Sequence, residues 1–138
     1  MQNTIIKRKK INNKSKKKSI KKNHKMITKN VSEPWFSLIK LELKTIEGRL
    51  NKGDFKNLRI NDIISWTNDY LGFHREFRTR VIGKQQYDTF ESYLLNEGLN
   101  KCLPGIENIE EGLKVYFKYY TKEQENEYGI LALELQKI

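Results

Sequence analysis

Residues 32–50, SEPWFSLIKLELKTIEGRL, decide how the rest of this chain reads, because the hydrophobic period changes inside them. Ser32 is placed to cap a helix, and Pro34 is tolerated in a first turn, whose backbone N–H groups lack intrahelical partners. Phe36, Ile39 and Leu43 then recur at helical spacing. From Lys44 the period becomes two, which sets Thr45, Glu47 and Arg49 on one face of a strand and Ile46, Gly48 and Leu50 on the other. Lys44 falls where helix meets strand. Four polar or charged side chains beside a short apolar helix suggest a site.

On either side of this stretch, short strands alternate with helices. Lys25 to Val31 reads as an opening strand, Asn51 to Ile60 as a connection turning at Gly53 and Asp54, and Asp62 to Thr67 as a buried strand. After a link marked by Asn68, Asp69 and Gly72, alternation from Phe73 to Val81 turns Phe73, Phe77 and Val81 inward and His74, Glu76, Arg78 and Arg80 outward. Asp88 with Glu91, and Asn108 with Glu111, have capping-box spacing. Phe90, Tyr93 and Leu94 form the inward stripe of the first helix, and Ile109, Leu113, Tyr116, Phe117 and Tyr120 that of the second, over 108–120. Thr121 and Gln124 open a further helical turn, Gly129 ends it, and Ile130 to Leu135 closes the chain as a strand. There are no internal repeats.

The stretch quoted first, with GDFKNLRINDIISWTND and YGILALEL after it, resembles the ASCH domain, a small relative of the PUA RNA-binding domain. The resemblance covers roughly Met26 to Leu135. It implies an α+β fold: a small PUA-like β-barrel flanked by helices. The family motif G-x-K-x-x-E-x-R places Lys44, Glu47 and Arg49 on its lysine, glutamate and arginine, while Glu42 replaces its glycine. Glycine there would allow a positive φ or close backbone approach to a ligand. A glutamate adds a Cβ and a negative charge, which makes anionic ligands less expected.

Composition bounds the remaining possibilities. The 138 residues suit one domain behind a tail, and no apolar run approaches 18 residues, so no membrane span is expected. No hydrophobic segment follows the basic amino terminus, and the single cysteine, Cys102, cannot pair internally. An intracellular location, cytoplasmic or nuclear, follows. Cys102 reads either as a structural thiol or as a reactive one. The net charge of +10 is concentrated in residues 1–25, which hold eleven cations and no acid, leaving 16 Lys and Arg against all 17 acids in 26–138. The domain itself is thus close to neutral. Residues 1–25 are expected to be a disordered basic tail, since so many like charges and so few apolar groups cannot offset chain entropy. Lys7, Arg8, Lys9, Lys10, Lys16, Lys17 and Lys18 suit phosphate contacts or an import signal, and equally a solvated tail that follows from AT-rich coding.

A filled barrel of this size must place its function at a mouth or in a cleft. The first reading is therefore a nucleic-acid or nucleotide-binding module, RNA-related, with a base-binding cleft at the KTIEGR strand. Lys44 and Arg49 would donate, Glu47 would accept from a base edge or orient the lysine, and Trp35 or Tyr87 would stack. Alternatively, Glu47 and Arg49 merely pair across the strand. Trp35 either staples its helix to the barrel or stands in the cleft, whereas Trp66 reads as core. His74, Arg78 and Arg80 form either an RNA-contact strip or a solvated face.

An alternative reading follows from one branch resembling this family, small amidohydrolases acting on acetylcytidine-type nucleosides with a lysine, a threonine and a glutamate. Lys44 and Glu97 suit two of these roles. That branch shows K-T-x-T where this chain has Lys44, Thr45, Ile46 and Glu47, so Thr45 substitutes only if the strand is bulged. A third reading makes helix 108–120 a protein-partner surface. No cofactor or metal is expected: His24 lies apart from His74, and neither a P-loop nor a serine-hydrolase elbow occurs.

Overall fold

The computed structural model describes residues 23–138; the tail cations Lys7, Arg8, Lys9, Lys10, Lys16, Lys17 and Lys18 lie outside the described residues. Five strands, β1 (Met26–Asn30), β2 (Ile46–Leu50), β3 (Ile63–Asn68), β4 (Arg75–Tyr87) and β5 (Ile130–Lys137), form one sheet in the order β1-β3-β4-β5-β2. β1 and β3 run parallel and every other pair is antiparallel. The sheet curls into half a barrel with β1 and β2 as its edges. β4 is long enough to serve two neighbours, pairing with β3 through Arg80 and with β5 from Thr79 onward. The register shifts between Val81 and Gly83. Such a bulge bends its strand and increases the local twist.

Helices α1 (Trp35–Lys40), α2 (Gly53–Lys56), α3 (Phe90–Glu97), α4 (Leu99–Cys102), α5 (Ile109–Tyr116) and α6 (Lys122–Tyr128) flank the sheet. Two apolar clusters result. Phe36, Ile39, Phe55, Ile64, Trp66, Phe77 and Val81 join Leu131, Leu133 and Leu135 of β5 in one. Ile46, Leu50, Phe90, Tyr93, Leu94, Tyr116, Ile130 and Ala132 form the other, under α3 and α5. β5 alternates between the clusters, so its ILALEL run is buried on both faces at its start. Cys102 is fully buried, and burial pushes its thiol up to about 11, so at neutral pH it is a packed, protonated group.

Several local expectations shift. α1 starts at Trp35, too far on for the Ser32 side chain to cap it. Instead the Glu33 carboxylate accepts from Ser37 N at 3.0 Å, and Ser32 Oγ shares a hydrogen bond with Tyr119. The helix is finished by Leu41, so Leu43 lies beyond its buried stripe and is exposed. Gly53 opens a four-residue helix rather than a simple turn. Phe73 precedes β4 and is exposed, while Phe77, Thr79 and Val81 keep the inward phase. Thr89, not Asp88, caps α3, accepting from Ser92 N at 3.0 Å. Asn108 caps α5 as read, although that helix stops at Tyr116. Thr121 and Gln124 make a full capping box on α6.

Glu42, at the motif's glycine position, has φ 64°. Left-handed backbone costs an L-residue roughly 1–2 kcal/mol, of which glycine's greater chain entropy returns about 0.5–1. Glu42→Gly is therefore expected to stabilise the fold by about 0.5–1 kcal/mol, seen as a higher thermal midpoint. A lower midpoint would show that the residue is unstrained.

Candidate functional site

The alternation read in β2 sends Ile46, Gly48 and Leu50 into the α3–α5 cluster and leaves Glu47 and Arg49 on the opposite face. No side chain fits at Gly48, where a Cβ would lie 2.6 Å from the Tyr93 ring. Lys44 precedes the strand, so strict alternation does not govern it, and its ammonium swings back to Glu47 Oε1 at 3.0 Å. The same ammonium donates to the carbonyl of Ile46 at 2.6 Å and to that of Cys102. Arg49 Nε donates to Glu47 Oε2 at 2.7 Å, and Nη2 reaches the carbonyl of Asn30 at 3.0 Å. Arg49 thereby spans the gap between the sheet's two edge strands. Lys44 and Glu47 are both buried, at 1% and 6% exposure.

Burial opposes ionisation of Glu47, but the charges of Lys44 and Arg49 outweigh it and hold the carboxyl below its ordinary value of 4.5. The three groups form an ion-paired unit with one cation in excess. Lys44 spends its donors on protein acceptors, which suits a structural pin better than a nucleophile. Arg49 Nη1 has no hydrogen-bond partner among the described residues.

This unit floors a cavity of about 240 Å³. Asn30, Val31 and Ser32 supply one rim and Trp35 of α1 a wall, 5.8 Å from the Lys44 ammonium. Tyr116 at the end of α5 and Tyr119 and Tyr120 just after it also belong to the lining. Tyr116 shares a hydrogen bond with Tyr93 at 2.8 Å and Tyr119 with Ser32 at 3.0 Å, whereas the Tyr120 hydroxyl has no partner among the described residues. A hollow of this size lies below the roughly 300–1,000 Å³ of drug-sized sites and suits one small planar group. Its aromatic walls, acid-and-guanidinium floor and free hydroxyl offer stacking together with an acceptor and donors.

Trp35, Lys44, Glu47 and Arg49 thus line one cavity. Tyr87 does not: it is hydrogen-bonded to Glu97, and neither lines the cavity. Thr45 is also outside its lining, its backbone tied to Lys101 and Leu135. His74 is exposed, with its ring on Asp69 and Glu76. Trp66 is fully buried, as expected of a core residue, and the guanidinium of Arg49 lies 5.3 Å from its ring. Glu42, expected to oppose anions, lines neither this cavity nor a second one beside it.

Sequence reading treated Tyr116 and Tyr120 as packing and passed over Tyr119. The usable signal was three tyrosines within five residues: a stripe built from Tyr rather than Leu or Phe keeps polar tips for a wet surface. Among the described residues no three His, Cys, Asp or Glu side chains are grouped to hold a metal ion, and no helix is long and apolar enough to cross a membrane.

Residues 30–138 match the family model described as ASCH domain. The chain is similar to the crystal structure of hypothetical protein PH0355, with 34% identity and a TM-score of 0.73, over 82% of this chain and 99% of that one. It is also similar to the solution structure of protein PF0455 from Pyrococcus furiosus, with 34% identity and a TM-score of 0.67, over 82% and 97% of the two chains. No curated protein matches.

Proposed function

This chain belongs to the ASCH domain family, generally considered RNA-binding within the PUA-like superfamily, and on that footing we propose that its cavity binds a single unpaired nucleobase. The observation that carries this reading is the pairing of an aromatic enclosure with a charged floor. Trp35 and the tyrosines at 116, 119 and 120 line one small cavity whose lining also holds Glu47 and Arg49. Stacking on an aromatic is worth about 1–3 kcal/mol per base, and a carboxylate beside a guanidinium can accept and donate along that edge. The amidohydrolase reading is weaker, because Lys44 is saturated by protein acceptors and Glu97 is engaged by Tyr87.

The test is titration of the full chain with ribonucleosides and short single-stranded RNAs, followed by tryptophan fluorescence and mass spectrometry. Trp35→Ala should weaken binding by about tenfold, within the stacking range. Trp66 then reports that the fold persists. Unchanged affinity in Trp35→Ala, or turnover of acetylcytidine by wild type, would overturn the reading.

The basic tail completes the proposal as a phosphate-contacting arm. Each single-strand phosphate it neutralises should add about 0.7 to the slope of log affinity against log salt. Removing residues 1–22 should flatten that slope for RNA and leave nucleoside binding unchanged. A slope indifferent to the tail would remove the arm from the mechanism.

A further inference from the structure

The base-binding cavity has a neighbour of about 210 Å³ that shares Arg49 and Tyr120 with it. We infer that this second cavity is a phosphate subsite, so that the unit recognised is a nucleotide rather than a bare nucleoside; the inference rests on the base-binding reading above. Three cations from three segments converge on it: Lys29 from β1, Arg49 from β2 and Lys52 from the connection before α2. The lining holds one carboxylate, Asp54, which lies 3.1 Å from Lys29. Lys52 has no carboxylate within 4.0 Å among the described residues; its ammonium stands 4.8 Å from the Tyr128 ring. Two of the cations lie against the apolar floor, Lys29 at 5.1 Å and Arg49 at 5.0 Å from the Phe55 ring centroid. Aromatic faces hold cations without using up their N–H donors.

The chemistry of the lining selects the ligand. Cations in excess of acids, with donors left over, favour a compact anion rich in acceptor oxygens, and a phosphate supplies these. Arg49 forms the partition. Its Nε is committed to Glu47 in the first cavity's lining and its Nη2 to Asn30, while Nη1 has no partner among the described residues. A nucleoside stacked beside Trp35 would carry its sugar past Arg49 and Tyr120, the two residues common to both hollows, and its phosphate into the second. A terminal monoester and the diester of an RNA strand share this chemistry.

The deciding experiment is a ¹H–¹⁵N NMR titration of the full chain, wild type, Lys52→Gln and Asp54→Asn, with the four ribonucleosides, their 5′-monophosphates and dinucleoside monophosphates. Local amide shifts at residues 52–55 separate this subsite from the basic tail. Phosphorylated ligands are expected to bind about tenfold or more tightly than nucleosides, the scale of one hydrogen bond to a charged group. That advantage should fall to about threefold or less in Lys52→Gln, which loses one donor and one charge, and should grow in Asp54→Asn, which removes a repelling charge and frees Lys29 from its ion pair. The larger advantage identifies the source as monoester or diester. Equal affinity with and without phosphate, or an advantage that survives Lys52→Gln, overturns the subsite and leaves base binding standing. No nucleoside response at Trp35 or Tyr120 overturns the base-binding reading, and this inference with it.

Discussion

Replacing Glu47 by alanine should lower the unfolding free energy by about 3–5 kcal/mol, the usual cost of removing one partner from a buried ion pair. The reason is the company it leaves. Lys44, 1% exposed, would keep two carbonyl acceptors but lose its 3.0 Å carboxylate, and Arg49 would lose the acceptor of its Nε. Urea unfolding monitored by tryptophan fluorescence measures the loss; a change under about 1 kcal/mol would mean that the unit behaves like a solvated surface pair. The sign of the pH dependence follows from the same contacts. A carboxyl whose folded pKa is depressed contributes stability above its unfolded value and loses it as pH falls through the folded one. Wild type should therefore lose stability below about pH 4.5 more steeply than Glu47→Gln. By the same argument Lys44→Ala removes one of the two cations on Glu47 and the ammonium donor of two carbonyls, so lost function in that variant would first report lost folding.

Trp66→Ala should cost a similar amount, about 3–5 kcal/mol, with a consequence at the site as well. The indole is fully buried, and its Nε1 donates to Thr79 Oγ1 at 2.9 Å. Truncation opens a large hollow in the β1–β3–β4 cluster, leaves the Thr79 hydroxyl without its donor and removes the aromatic surface beneath Arg49. Trp66→Phe retains a ring there and should lose only about 1–3 kcal/mol, the penalty for leaving one buried polar group unpaired. Comparing the two by denaturant unfolding separates volume from hydrogen bonding. If alanine and phenylalanine cost the same, packing beneath Arg49 contributes little, and the charged floor does not depend on that platform.

Much of the fold was legible because local periodicity and tertiary burial agree. Phe36 and Ile39 are buried on α1, Phe77 and Val81 on β4, and Phe90, Tyr93 and Leu94 on α3, all in the phase the pattern gives. The misses lie at element ends. Leu43 lies two residues past the α1 cap at Leu41 and Phe73 two before β4 begins at Arg75, and Asp88 lost the cap to Thr89 by a single residue. At such positions several residues can satisfy the same orphan N–H groups, and neighbouring packing chooses among them.

The site divides in the same way. From sequence alone, Glu47 and Arg49 had to share a strand face, since alternation within one strand is a local property of the backbone. Family resemblance added Lys44, without saying how it joins them. Only the folded chain swings Lys44 out of strand phase onto Glu47, brings Tyr116, Tyr119 and Tyr120 from some eighty residues away into one cavity lining with Trp35, and pairs Tyr87 with Glu97 outside the cavity. Those outcomes depend on how the bulged β4 curves the sheet and how α5 docks on α3, and contacts between segments distant in sequence determine both.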